Sequence, residues 1–75
     1  MVIKCTKHYK QRIKERFNKD SSYMLETFKF ICKKIKRNKL FPKKWNTENT
    51  YEVYYKGLTY IYAKSQWEFI LITSY

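Results

Sequence analysis

Seventy-five residues hold one domain at most, with no room for a cofactor fold of the dinucleotide-binding kind. Hydrophobic residues at 44% and aromatics at 20% exclude a disordered polar chain, and one glycine and one proline exclude linkers and collagen-like repeats. Seventeen Lys and Arg against six Asp and Glu give a net charge of +11, a field that attracts polyanions and is of no use to an enzyme of neutral metabolites.

Residues 2–4 can add a short strand at the start of the chain, beside the last strand of the sheet. Residues 6–17 contain no Gly or Pro, and Thr6 is placed to cap a helix. Tyr9, Ile13 and Phe17 recur every four residues and so share one face of it. His8, Arg12 and Arg16 recur with the same spacing one position round, about 100° away. The helix therefore offers an edge to bury and, beside it, a polar edge of one imidazole and two guanidiniums. Residues 18–22 form a turn-like cluster. Ser21 or Ser22 caps a second helix that runs to about Asn38, with Met24, Leu25, Phe28, Ile31, Cys32 and Ile35 on its apolar face. Lys29, Lys33, Lys36 and Arg37 lie mostly off that face, concentrated in the last turns, where they complement the helix dipole. Residues 40–49, with Pro42, Lys43 and Lys44, read as a connecting loop.

From Tyr51 onward the residues suit strands. Tyr51, Val53 and Tyr55 alternate with Glu52, Lys56 and Gly57 make a tight turn, and Leu58, Tyr60 and Tyr62 oppose Thr59, Ile61 and Ala63. After a turn at residues 64–66, the segment 67–74 is apolar on both faces, which marks a strand with neighbours on each side. The expected fold class is α+β, a single domain of residues 1–75, with two N-terminal helices packed on a C-terminal antiparallel sheet of three to four strands.

Chemistry narrows by elimination. The six carboxylates are dispersed, there is no glycine-rich phosphate loop, and two cysteines with one histidine at these spacings build no metal site, so no cofactor and no metal are expected. Cys5 and Cys32 are too few for a disulfide framework, Cys32 falls on the apolar stripe, and residues 1–5 are too short and too charged for a secretion signal. No apolar run reaches the ~20 residues that span a bilayer. A cytoplasmic protein with reduced thiols and no membrane partner is expected. The remaining groups are cationic and aromatic. Lys29, Lys33, Lys36, Arg37, Lys43 and Lys44 are the candidate nucleic-acid-binding residues. Tyr51, Tyr54, Tyr55, Tyr60 and Tyr62 either stack unpaired bases or sit half-buried in the sheet.

The order of the helix TKHYKQRIKERF, the serine-capped second helix, YKGLTYIY and the closing ILITSY resembles small RelE/BrnT-like toxin domains. These begin with a His-x-x-x-Arg-x-x-x-Arg helix and end on a strand closing with Thr-x-Tyr, matched here by His8, Arg12, Arg16, Thr73 and Tyr75. The resemblance implies the fold shared by barnase, EndoU, the tRNA-cutting colicins and RelE, and with it a metal-independent endoribonuclease of toxin or effector type. A ribose 2′-hydroxyl would attack the adjacent phosphorus and leave a 2′,3′-cyclic phosphate. His8 would act as general base or acid, and Arg12 and Arg16 would stabilise charge on the phosphate. Thr73 would hydrogen-bond the phosphate, and Tyr75 would stack on a base or donate a proton. Thr73 and Tyr75 share a strand face by the period of two, and this face is expected to close on the helical stripe. The implied partners are RNA or single-stranded nucleic acid and an antitoxin or host nucleoprotein. The alternative is a non-catalytic inhibitor, phage- or plasmid-encoded, that grips a nucleic acid or a host nucleoprotein.

Overall fold

A computed structural model describes residues 2–18, 20–47 and 49–75. The element order is β1 (Val2–Cys5), α1 (Lys7–Phe17), α2 (Ser21–Lys36), β2 (Lys43–Lys44), β3 (Thr50–Tyr55), β4 (Leu58–Lys64) and β5 (Glu68–Ser74). The class is α+β, as the order of helical and strand-like segments implies.

The strands form one five-stranded sheet in the order β1-β5-β4-β3-β2. The short strand allowed at the start of the chain does form, ahead of the helices and beside β5. Two features correct the sequence reading. This first strand pairs parallel to β5, Ile3 opposite Phe69 and Cys5 opposite Leu71, so the sheet is mixed rather than antiparallel. A parallel pair needs a long crossover, and here the helices and the β2–β4 strands supply it. The sheet also has one strand more than expected, because Lys43 and Lys44, read as loop, pair with Glu52 and Tyr51. The Trp45 N–H donates to the Thr50 carbonyl at 2.9 Å and holds that short strand in place. As the two-sided apolar run implied, β5 has a neighbour on each side.

The helix ends follow local chemistry. Thr6 caps α1, its hydroxyl accepting from the Tyr9 N–H at 3.1 Å. Asn18 ends the helix in the left-handed region, at φ 51°, which asparagine tolerates. Asp20, not Ser21 or Ser22, caps α2: its carboxylate accepts from the Ser22 N–H at 2.9 Å and adds negative charge at the positive end of the dipole. Between β3 and β4, Lys56 and Gly57 both take positive φ, 47° and 87°, the demand of a two-residue hairpin turn.

Both helices lie on one side of the sheet. Tyr9 and Ile13 of α1 and Met24, Phe28, Ile31 and Cys32 of α2 pack with Val53, Tyr60, Tyr62, Phe69 and Leu71. Phe28 is the hub: its ring lies 5.2 Å from Tyr62 and 6.3 Å from Phe69, and Tyr62 meets Phe69 edge-on at 5.6 Å. Such ring geometry adds about 0.5–1.5 kcal/mol per pair to the area buried. The other side of the sheet carries no helix.

Candidate nucleic-acid interface

Half of the basic residues singled out in the sequence come together. Lys29, Lys33 and Lys36 stand along one flank of α2, at spacings of four and three, and line a groove of about 590 Å³ with Ile3, Phe30 and Cys32. Lys29 is held at 3.4 Å by Glu26, while Lys33 and Lys36 form no ion pair among the described residues. Lys34 lies over the Phe30 ring at 5.1 Å, which keeps its charge on the outer surface of the same helix. Arg37 is the C-cap and is exposed. Lys43 and Lys44 lie apart from this groove, on β2 at the sheet edge opposite β1, where they border a second hollow of about 350 Å³ with Trp45 and Glu52.

The helical stripe is exposed as expected. Tyr9 and Ile13 are buried, and His8, Arg12 and Arg16 all face solvent, without a hydrogen bond or ion pair among the described residues. The last strand does not close on them. Phe69 and Leu71 point into the core, and a strict period of two would send Thr73 and Tyr75 there also. The register shifts instead: Tyr62 opposes Leu71 but Ile61 opposes Thr73, so Ile72 is an extra residue, a β-bulge. Beyond it the phase is inverted. Ser74 enters the core, where its hydroxyl meets that of Tyr9 at 2.9 Å, and Thr73 and Tyr75 turn to the helix-free face. They do share a face, but the sheet separates it from α1. This corrects the expectation that His8, Arg12, Arg16, Thr73 and Tyr75 line one site.

The tyrosines divide by face. Tyr60 and Tyr62 are buried, Tyr51 stacks on Tyr62 at 5.6 Å, and Tyr55 packs against the core. Tyr54 is 67% exposed on the helix-free face, and Tyr75 is 59% exposed. Trp45 belongs to that face as well, its indole N–H donating to Glu52 at 3.0 Å. Sequence reasoning missed Trp45, and the signal was the Trp45–Glu52 spacing across a short hairpin.

Burial pushes the Cys32 thiol up to about 12, with Lys36 and Lys64 opposing, and it raises Cys5 also. Both cysteines are free thiols. Among the described residues, no group of three or more His, Cys, Asp or Glu is placed to hold a metal ion, and no helix is long and apolar enough to cross a membrane. Comparison with known proteins gave no match to this chain, whether among family models, curated proteins or solved structures.

Proposed function

We propose that this protein binds RNA or single-stranded nucleic acid. The observation that supports this reading best is the alignment of Lys29, Lys33 and Lys36 along one groove of α2, in a chain of net charge +11. Three ammonium groups at helical spacing follow a line of phosphates, and each contact releases counterions, so affinity falls steeply with salt. The test is titration of a labelled RNA at increasing salt. Several phosphate contacts give a log–log slope of several units, and Lys33→Glu and Lys36→Glu each lower it by about one. An affinity unchanged from low to high salt removes the reading.

Cleavage is a second reading, favoured by one observation: His8, Arg12 and Arg16 are exposed together on α1. A general base beside two guanidiniums suits transfer of a 2′-hydroxyl proton and charge relief on phosphorus. Incubation with total RNA in the presence of chelator tests it, with 2′,3′-cyclic ends as the expected product.

A further inference from the structure

We infer that the helix-free face of the sheet stacks unpaired bases on Tyr54 and Tyr75, so that the ligand is a single strand rather than a duplex. This rests on the nucleic-acid reading above.

The two rings stand on one cross-strand row. Tyr54 of β3 lies opposite Thr59 of β4. Thr59 exchanges both backbone hydrogen bonds with Tyr75, at 2.7 and 3.0 Å. A small threonine therefore lies between two tyrosines that are two strand spacings apart, about 10 Å. That gap admits flat rings. The sheet tyrosines on the helix side, Tyr51, Tyr55, Tyr60 and Tyr62, have aromatic partners, but Tyr54 and Tyr75 have no ring or cation partner among the described residues and are 67% and 59% exposed.

Charge selects the occupant. On this face Lys4 and Lys43 balance Glu52 and Glu68; Glu68 is paired with Lys4 at 3.3 Å and Glu52 accepts from Trp45. The face itself is thus near neutral, suited to bases, while the cationic excess surrounds it. A second copy of the chain would bring +11 against +11, whereas a polyanion relieves the repulsion. Stacking on an aromatic ring accepts every base, because every base has a π-face, and a duplex keeps those faces covered. The α2 groove and the open face meet at the β1 edge of the sheet. Ile3 lines the α2 groove from one face of β1, and Lys4, the next residue, stands on the other. A strand held by Lys33 and Lys36 can pass round this edge onto the open sheet.

Stacking and phosphate attraction respond differently to salt, and this separates them. The probe is a short oligouridylate. Tyr54→Ala and Tyr75→Ala are expected to weaken its binding by about 5- to 150-fold each, with the salt slope and the melting temperature unchanged. Tyr54→Phe and Tyr75→Phe keep the ring and bind like the parent. An abasic ribose-phosphate chain of equal length binds the parent as weakly as oligouridylate binds the double variant Tyr54→Ala/Tyr75→Ala, and on that chain the parent and the alanine variants bind alike. If the alanine variants bind oligouridylate like the parent while the salt slope persists, stacking is wrong and the nucleic-acid reading survives. If no nucleic acid binds at all, both fall. A dimer in sedimentation that Tyr54→Ala dissociates, with RNA affinity untouched, would overturn the inference in favour of self-association.

Discussion

The hydroxyls of Tyr9 and Ser74 lie 2.9 Å apart in the core and join the first helix to the last strand across 65 residues of chain. Tyr9 is 1% exposed and Ser74 2%. Two buried hydroxyls satisfy each other, so neither carries the cost of an unpaired polar group. The bond also fixes which face of β5 meets α1, and therefore which residues do not.

Tyr9→Phe is expected to destabilise the fold by about 1–3 kcal/mol, because it leaves the Ser74 hydroxyl buried without its partner. Ser74→Ala does the same to Tyr9. The double variant Tyr9→Phe/Ser74→Ala then loses less than the sum of the two. Urea denaturation of the four proteins measures this; strictly additive losses would show that the pair is not coupled.

Ile72 is the extra residue that inverts the phase of β5, and it is 37% exposed. Deleting it restores a regular ladder in which Ser74 still enters the core and Thr73 still faces out. The deletion is expected to cost only about 1–2 kcal/mol and to keep the Tyr9–Ser74 coupling, within the usual range for a single change. Thr73→Val, on the open face, is expected to shift stability by under about 0.5 kcal/mol. If deleting Ile72 abolishes folding, the bulge has a structural role beyond setting the phase.

That bulge also marks where sequence reasoning stops. The two helices, the strand bounds from Tyr51 onward and the central place of β5 follow from apolar spacing, since burial imposes a period of 3.6 or 2 on the chain. Phe69 and Leu71 obey the period. Ile72 breaks it with a residue as apolar as its neighbours, so nothing in hydropathy announces the inversion at Thr73. Lys43 and Lys44 pair as a strand for a reason equally invisible locally: a backbone bond between Trp45 and Thr50. In the candidate site, the spacing of Lys29, Lys33 and Lys36 was legible because one helix carries all three. The separation of Thr73 and Tyr75 from His8 was not, because it depends on register between distant strands.

Stability should fall at alkaline pH. Burial pushes Tyr9 up to about 12 from 10 and Cys32 up to about 12 from 9. Each group therefore holds its proton more tightly in the folded state than in the unfolded one. Their contribution is complete below pH 9, where both states are protonated, and is lost as pH rises toward 12. The comparison is internal, between two proteins that differ only at this thiol. The parent and Cys32→Ala are melted across this range. The parent is expected to lose more stability above pH 9 than the variant, and parallel curves would show that the thiol is not linked to folding.

His8 and Arg12 decide whether the exposed stripe of α1 does chemistry. Both side chains face solvent and neither forms a hydrogen bond or ion pair among the described residues. Their removal disturbs no packing, and His8→Ala and Arg12→Ala should each leave stability within about 0.5 kcal/mol of the parent. This makes them clean probes of activity. If the protein cleaves RNA with chelator present, His8→Ala is expected to reduce the rate by about 10²–10⁴-fold, the usual worth of a positioned general acid or base. Thr73→Val should leave that rate unchanged, because the sheet stands between Thr73 and α1. A rate that falls with Thr73→Val and not with His8→Ala would move the chemistry to the open face of the sheet. A rate indifferent to both, with RNA binding intact, would leave a protein that holds nucleic acid through its lysines without cutting it.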